Sequence, residues 1–292
     1  MNGVLVIDKP AGFTSHDVVA RVRRLLAEPS VGHLGTLDPM ATGVLPLVVG
    51  RLTRLAQFYT AAEKAYEGEI QLGFATDTYD AQGEPAGAPV AVNVTEEQVR
   101  TAAARYVGTI QQMPPPFSAK KIAGVPAYKL ARKGREVELK PVQVEVKEFE
   151  ILTVRGERIA FRARVSSGTY LRSIAHALGH DLGTGAHLAS LRRTEVAEFG
   201  VADARTLEQL SAESASPAEL FIHPRRLLPA LPSVTADDEQ VSRIRTGQAV
   251  NLPELSRAPQ VKVFRGQADL ICIATRIAGT LFHPRVVLME GN

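Results

Sequence analysis

The chain has 292 residues, of which 45% are hydrophobic and 22% are charged. This balance predicts a folded protein with one large core and room for a small second domain, and it excludes a disordered or fibrous chain. The single cysteine, Cys272, lies in an apolar run, so we expect it to be buried, and no disulfide can form within the chain.

The formal net charge of +3 fits a nucleic-acid partner without requiring one. The first residues lack the pattern of a signal peptide, and no apolar run approaches the length of a membrane span. We therefore expect a cytoplasmic protein with no membrane partner.

Four elements are predicted in the first 75 residues. The apolar run at 4–7 indicates a buried strand, and Thr14 or Ser15 can cap the helix that follows. Residues 44–49 indicate a strand that Pro46 interrupts. Residues 66–74 alternate between apolar and polar, which places Tyr66 at the start of a strand on its buried face.

The middle of the chain alternates between turns, helices and strands. Residues 80–89 are polar and turn-like, and Thr95 with Gln98 forms a capping box ahead of a helix. Residues 142–146 and 159–165 alternate as half-buried strands do. Thr169 is expected to open a helix that ends near Gly183, which places Arg172 in its first turn.

A domain edge is predicted where three prolines fall between residues 223 and 232. Beyond it we expect a short helix near 235–245 and brief strands at 261–264, 270–274, 280–282 and 285–288, which together suggest a small barrel. The predicted domains are residues 1–225 and 232–292.

The most informative segment is residues 32–46, with the sequence Gly-His-Leu-Gly-Thr-Leu-Asp-Pro-Met-Ala-Thr-Gly-Val-Leu-Pro. Asp38 is the only carboxylate between Glu28 and Glu63. Glycines and prolines stiffen and shape the loop around it, which suits a carboxylate that is aimed at a substrate. The alternative is structural, since Asp before Pro often opens a turn.

Six basic residues within sixteen positions follow a run of three prolines at 114–116. They form either a solvated surface or an arm, at about 114–140, that grips RNA phosphates, and we favour the arm. Its members are Lys120, Lys121, Lys129, Arg132, Lys133 and Arg135.

Arg172 is an unusual cation for the first turn of a helix, where the helix dipole favours anions. It is either an exposed arginine or one balanced by Asp38 or a substrate phosphate, and we favour the second. His176 and His180 are four residues apart on the same helix, but they lack a third ligand nearby, so we expect no metal.

Five segments in this order resemble the motifs of the bacterial tRNA pseudouridine-55 synthases of the TruB type. They are residues 32–46, together with Gly-Val-Leu-Val-Ile-Asp-Lys-Pro-Ala-Gly at 3–12, Lys-Ala-Tyr at 64–66, Ser-Gly-Thr-Tyr-Leu-Arg at 167–172 and Gly-Ala-His-Leu-Ala-Ser-Leu-Arg-Arg at 185–193. The resemblance covers about the first two hundred residues, and the last sixty or so match only loosely.

The resemblance implies an α/β (α+β) pseudouridine-synthase fold. That fold has a mixed, largely antiparallel sheet flanked by helices and loops, followed by a small β-rich PUA-like domain that binds RNA. The implied activity is isomerisation of uridine to pseudouridine at position 55 in the T-arm loop of tRNA, by base flipping. No cofactor is needed because the reaction involves neither redox change nor hydrolysis, and no obligate protein partner is apparent.

The resemblance also assigns residues to the site. Asp38 is the catalytic group and Arg172 holds it ionised. Tyr66 stacks on the flipped uracil and supports proton removal, while His33 stacks within the RNA loop. Tyr170 and Leu191 line the base pocket, although by pattern alone Tyr66, Tyr170 and Leu191 look like packing residues.

The sequence is also compatible with three other functions. The chain could modify another RNA by the same chemistry, or bind RNA without catalysis, which would leave the Asp38 loop unexplained. A hydrolase with an aspartate nucleophile would need an activated water or a second carboxylate, which the Asp38 segment does not offer.

Overall fold

The computed structural model describes residues 1–117, 121–122, 125–126, 140–212 and 217–289. In chain order its strands are β1 (Gly3–Lys9), β2 (Val31–His33), β3 (Thr42–Val49), β4 (Lys64–Leu72), β5 (Gly108–Gln112), β6 (Lys121–Ile122), β7 (Val125–Pro126), β8 (Val142–Arg155), β9 (Arg158–Val165), β10 (Ala186–Val196), β11 (Phe199–Gly200), β12 (Ala204–Arg205), β13 (Ser233–Thr235), β14 (Val250–Asn251), β15 (Gln260–Arg265), β16 (Asp269–Ala278) and β17 (Leu281–Val287).

The α-helices are α1 (Ser15–Leu26), α2 (Glu96–Ala104), α3 (Leu171–Asp181), α4 (Leu207–Ala212) and α5 (Asp238–Arg245), and short 3-10 helices cover Gly50–Phe58, Val201–Asp203, Pro217–Leu220 and Pro224–Arg226. Within the described residues, no helix is long and apolar enough to cross a membrane.

A large mixed sheet organises most of the chain. Its strand order is β12-β1-β3-β10-β4-β9-β8-β5, with β2 paired to β3 and β11 to β10. The pairs β1–β12 and β3–β10 are parallel and the others are antiparallel. The largely antiparallel sheet with flanking helices is therefore confirmed, and β10 lies beside both β3 and β4 near its centre.

Local capping chemistry fixes the starts of two helices as the sequence predicts. Thr14 caps α1 and exchanges capping-box hydrogen bonds with Asp17, and Thr95 does the same for α2 with Gln98. Each box satisfies backbone N–H groups that the first helical turn leaves without partners. Thr169 does not cap α3, because the N-cap position belongs to Tyr170.

Pro46 does not interrupt β3, which runs unbroken from Thr42 to Val49. Pro46 lies opposite Val6 of β1, but its carbonyl oxygen points the other way and accepts a hydrogen bond from the Leu34 N–H at 2.9 Å. Because the nitrogen and the carbonyl of one strand residue face the same edge, the missing N–H costs no hydrogen bond to β1.

The strand that carries Tyr66 also differs from its prediction. It starts two residues earlier, at Lys64, and ends at Leu72, so Phe74 lies beyond it. Lys64 and Tyr66 are buried on the predicted face, and Gln71 is buried on the opposite face, so β4 is covered on more than the predicted face.

A hydrophobic core lies between the main sheet and α3, and it contains neighbours of Asp38 and of Arg172. Leu37 and Ala41 flank Asp38 and are buried in this core together with Tyr66, Leu171 and Leu191. The segments that carry the site are therefore anchored by packed side chains on a rigid sheet.

The C-terminal residues form a second, five-stranded sheet of order β13-β15-β16-β17-β14. The strands predicted separately at 280–282 and 285–288 are one strand, β17, which accommodates Pro284. The short helix begins at Asp238, capped by Asp237, and Cys272 is buried as expected. In the described residues the end strands β13 and β14 are not paired with each other, so the predicted barrel does not close.

Candidate active site

One cavity of about 430 Å³ is lined by all six residues that the resemblance assigned to catalysis or substrate binding outside the basic arm. These residues are His33, Asp38, Tyr66, Tyr170, Arg172 and Leu191. They come from the end of β2 and the loop after it, from β4, from the start of α3 and from β10. The cavity is thus a convergence of four separate parts of the chain.

The loop that carries Asp38 has a fixed backbone. The Leu37 N–H donates to Ser15 Oγ at 2.8 Å, and the Ala41 N–H donates to the Asp38 carbonyl at 3.1 Å, which closes a turn. The Asp38 side chain nevertheless retains 32% exposure. A held backbone with an accessible carboxylate suits a group that must reach a substrate.

A buried lysine secures one side of this loop. Lys9 is fully buried, and its ammonium donates to the carbonyl oxygens of Pro10, Phe13 and Pro39, at 2.9, 2.6 and 3.2 Å. Burial lowers the pKa of Lys9 to about 8, while the charge of Asp38 acts in the opposite direction. Lys9 therefore brings a cation and three backbone anchors to the carboxylate.

A buried arginine secures the other side. Arg193 is fully buried on β10, and its guanidinium donates to the carbonyls of Gly35, Thr36 and Val44 at 3.1, 3.1 and 2.8 Å. The parallel pairing of β3 with β10 brings the backbones close at Gly43, whose φ is +102° and where a Cβ atom would lie 2.2 Å from the Arg193 carbonyl oxygen. Only glycine fits this approach.

Arg172 contacts two carboxylates. Its Nε lies 2.9 Å from Asp38 Oδ2, and its Nη2 donates to Asp38 Oδ1 at 3.1 Å. Its Nη1 lies 3.3 Å from Asp80 Oδ2 and donates to the Thr78 carbonyl at 3.1 Å. Nη2 also donates to the Phe117 carbonyl. The unusual cation at the start of α3 is therefore balanced by anions, one of which is Asp38.

The two carboxylates differ in exposure. The side chain of Asp80 is 6% exposed, as is that of Arg172, whereas Asp38 faces the cavity. Asp80 is fixed by the Thr78 hydroxyl, which donates to its Oδ1 at 2.7 Å, and by the Gln82 N–H at 3.0 Å. Asp80 is thus a buried counter-ion, and Asp38 is the carboxylate available to a ligand.

Sequence reasoning missed Asp80, Lys9 and Arg193. Asp80 lies in a segment whose composition predicts only a turn, and nothing in the local pattern reveals its contact with Arg172. Lys9 and Arg193 do carry a signal, because each is a cation next to residues of a buried strand, within a motif that the resemblance had already identified. Buried cations need acceptors, and the adjacent loop carbonyls provide them.

Tyr66 and His33 line the cavity as uncharged rings. Burial raises the pKa of Tyr66, which is 7% exposed on β4, so its phenol stays protonated. Burial lowers the pKa of His33, and its Nδ1 accepts a hydrogen bond from the Gly35 N–H at 3.3 Å. A neutral imidazole with an unprotonated Nδ1 is consistent with both observations.

Tyr170 and Leu191 belong to different elements of the cavity wall. The Tyr170 N–H donates to Gln112 Oε1 at 2.7 Å, and the Gln112 amide donates back to the Tyr170 carbonyl at 3.0 Å, which ties the start of α3 to β5. Leu191 is buried on β10 and lies opposite Gly68 of β4. Both side chains reach the cavity wall.

The basic arm cannot be located in the same way. Lys121 begins β6, which pairs with β7. The other five arm residues, Lys120, Lys129, Arg132, Lys133 and Arg135, lie outside the described residues.

Comparison with known proteins gives matches over nearly the whole chain. Residues 23–171 match the model for the N-terminal domain of TruB family pseudouridylate synthases, and residues 172–228 match the C-terminal domain of tRNA pseudouridylate synthase B. The tRNA pseudouridine synthase B of Solibacter usitatus (strain Ellin6076) is 48% identical over 99% of this chain and 100% of its own length. That of Bacillus anthracis is 41% identical over 90% of this chain and 89% of its own length.

A solved structure shares the fold as well. A chain in the crystal structure of a Cbf5–Nop10–Gar1 complex superposes with a TM-score of 0.72 at 26% identity, over 99% of this chain and 85% of that chain. The two domain models, the full-length relative and the shared architecture agree, and the chain belongs to the TruB family of pseudouridylate synthases.

Proposed function

We propose that this chain isomerises uridine to pseudouridine at position 55 in the T-arm loop of tRNA. The observation that carries the proposal is the pairing of Asp38 with Arg172 at the wall of a cavity large enough for a nucleoside. The relatives named tRNA pseudouridine synthase B support tRNA as the substrate.

The isomerisation requires few groups besides a positioned carboxylate and a pocket for the base. The bond between ribose C1′ and base N1 breaks, the base turns, and C1′ joins C5. C5 loses a proton and N1 gains one, so the atoms balance without an oxidant or a water molecule. A carboxylate can add to carbon and leave again, and Asp38 would attack C1′, add to C6 or remove a ribose proton.

Arg172 supports each of these roles in the same way. Its guanidinium lies against both oxygens of Asp38, which fixes the orientation of the carboxylate and balances its charge. Asp80 and the Thr78 carbonyl both contact Nη1 of Arg172. These contacts keep the guanidinium at the cavity wall when Asp38 reacts. The position of the Asp38 carboxylate relative to the substrate is therefore fixed.

The remaining wall would receive the flipped base. Extrusion of a base costs a few kcal/mol, and stacking on an aromatic ring offsets that cost. Tyr66 supplies the ring, and its protonated phenol lies in the same cavity as Asp38. Tyr170 and Leu191 would enclose the base, while His33, as a neutral ring at the cavity wall, would stack within the RNA loop.

Recognition of the folded RNA needs a wider surface. We assign catalysis to residues 1–225 and RNA binding to a PUA-like domain at 232–292, with the basic arm at about 114–140 gripping phosphates. The arm's charge and the separate C-terminal sheet support this division. A cytoplasmic location and independence from protein partners stay predictions.

The proposal is tested by mapping modified positions in bulk tRNA that lacks modifications, after incubation with the purified chain. We expect conversion of one uridine, in the T-arm loop. Conversion at a different site, or only in another RNA, would assign the same chemistry to another substrate. Binding of tRNA without any conversion would leave an RNA-binding protein and end the proposal.

A further inference from the structure

Two aromatic rings stack between the loop and the helix that carry Asp80 and Arg172 of the candidate active site. The rings of Tyr79 and His176 have centroids 3.8 Å apart and an interplanar angle of 14°. Tyr79 lies on the loop that follows β4, and His176 lies on α3. The stack therefore joins the two parts of the chain that hold Arg172 and its buried partner.

The position of Tyr79 in its loop is informative. The residues on either side of it, Thr78 and Asp80, both contact Nη1 of Arg172. Tyr79 itself has a φ of +65°, a left-handed conformation that is disfavoured for a bulky residue. Glycine would adopt this backbone without strain. The ring of Tyr79 is thus present at a position where its backbone is disfavoured.

The position of His176 is equally specific. It is four residues after Arg172 on α3, so the two side chains lie on the same face of the helix, one turn apart. His176 Nδ1 is buried and has no hydrogen-bond partner among the described residues. The imidazole therefore stacks its face on Tyr79. Its buried Nδ1 makes no hydrogen bond that would account for a histidine at this position.

We infer that the Tyr79–His176 stack is a clamp that positions Arg172 for the isomerisation. The stack presses the Thr78–Asp80 segment against α3, one turn beyond the arginine. This contact keeps the Thr78 carbonyl and the Asp80 carboxylate on Nη1, while Nη2 donates to Asp38 Oδ1 and Nε lies 2.9 Å from Asp38 Oδ2. Tyr79 and His176 are positioning residues, since neither touches Asp38, and the inference rests on the proposed function.

His176→Ala and His176→Phe separate stacking from other roles of the imidazole. In single-turnover reactions, with the enzyme saturating and in excess over unmodified tRNA, we expect His176→Ala to slow conversion about tenfold, because small displacements at a site are costly. His176→Phe, which keeps a flat ring, should restore the wild-type rate. The dissociation constant for tRNA should not change in either variant. If the two variants are equally slow, or both as fast as the wild type, the clamp is wrong.

Tyr79→Gly distinguishes positioning from stability. This variant removes the ring but also relieves the strained φ, which offsets the lost packing, so we expect a melting temperature close to that of the wild type together with a slower reaction. Tyr106→Phe is the matched control, because it removes a hydroxyl that donates to Asp181 of α3 but leaves the Thr78–Asp80 segment untouched. A Tyr79→Gly variant with the wild-type rate would overturn the inference, as would a control that is equally slow.

A double-mutant cycle with Asp80→Asn tests the route through Arg172. If the clamp acts through the Asp80–Arg172 contact, His176→Ala should cost much less in the Asp80→Asn background than in the wild type. Additive losses would contradict the inference. The wild type separates the two proposals, because a wild-type chain that converts no tRNA refutes the function itself, whereas an active wild type with an unimpaired His176→Ala variant refutes only the clamp.

Discussion

Arg172 shares one positive charge between a buried carboxylate and a half-exposed one. Asp80 is sealed beside the guanidinium, and Asp38 borders the cavity. A buried ion pair that loses one partner leaves an uncompensated charge, which is more costly than the pair was favourable. Without Asp80, the Arg172 guanidinium would contact a single carboxylate, Asp38, and fewer contacts would fix its orientation.

We predict that Asp80→Asn slows single-turnover conversion of tRNA by about tenfold to a hundredfold, since misplacement of a catalytic group by about 1 Å can cost about a hundredfold. The amide can still accept a hydrogen bond from Thr78, so the loop should stay folded. Asp77→Asn is the control, because Asp77 accepts from the Glu84 N–H in the same loop. Equal rates for wild type and Asp80→Asn would remove Asp80 from the site.

At this scale the sequence predicts residues that belong to recognisable motifs and misses those defined by distant contacts. Asp38, Tyr66 and Arg172 could be singled out, and the structure places them around one cavity. The partnership of Asp80 with Arg172 joins positions 92 residues apart in the chain, so no local pattern encodes it. The pairing of Asp38 with Arg172 spans 134 positions and was still predicted, because both residues belong to recognised motifs, whereas Asp80 belongs to none.

Individual elements were predictable where local chemistry decides them. A cap at Thr14 or Ser15 indicated the start of α1, and a capping box of Thr95 with Gln98 located the start of α2, because such side chains satisfy the N–H groups of the first helical turn. The strand breaks predicted at prolines were wrong, since Pro46 lies inside β3 and Pro284 inside β17. Whether a strand tolerates proline depends on which edge its nitrogen faces, and that is a property of the sheet rather than of the sequence.

The burial of β4 has a consequence for its first residue. Burial, with a smaller contribution from the charge of Arg193, lowers the pKa of Lys64 from 10.5 to about 8. Between these two values the unfolded chain binds more protons than the folded one, so the free energy of unfolding contributed by Lys64 increases with pH. Below about pH 8 both states are protonated and the contribution is constant.

We predict that the melting temperature of the wild type, measured relative to Lys64→Met, increases from about pH 8 to about pH 10. Lys147→Met is the control. Hydrogen bonding to Glu63, followed by the charge of Glu63, raises the pKa of this exposed lysine, so it does not titrate in that range. A difference that stays flat or falls with pH would show that Lys64 is not desolvated by the fold.

The molecule as a whole has a core that crosses the predicted domain edge. Phe264 and Ile273 of the C-terminal sheet are buried in one cluster with Val4 and Val44 of the main sheet. The ammonium of Lys262 donates to the carbonyls of Arg225 and Leu227, at 2.9 and 2.7 Å, within the connecting segment. Prolines indicated where the connection lies, but no sequence pattern indicated that the two sheets pack on each other.

We predict that Phe264→Ala lowers the free energy of unfolding by about 3–5 kcal/mol, as expected for a large side chain removed from a core. Because this core is shared, hydrogen exchange should show reduced amide protection in β1 and β3 as well as in the C-terminal strands. Phe282→Ala is the matched comparison, since Phe282 is equally buried in a cluster internal to the C-terminal residues. Loss of protection confined to the C-terminal strands in Phe264→Ala would contradict a shared core.

The most direct measurement concerns Asp38. Isomerisation removes the hydrogen from C5 of the target uridine, so tRNA labelled with tritium at C5 releases the label as the reaction proceeds. We predict that Asp38→Asn releases no tritium above the background without enzyme, while its dissociation constant for tRNA stays that of the wild type. Release at the wild-type rate by this variant would contradict the assignment of the chemistry to the carboxylate that Arg172 holds at the cavity wall.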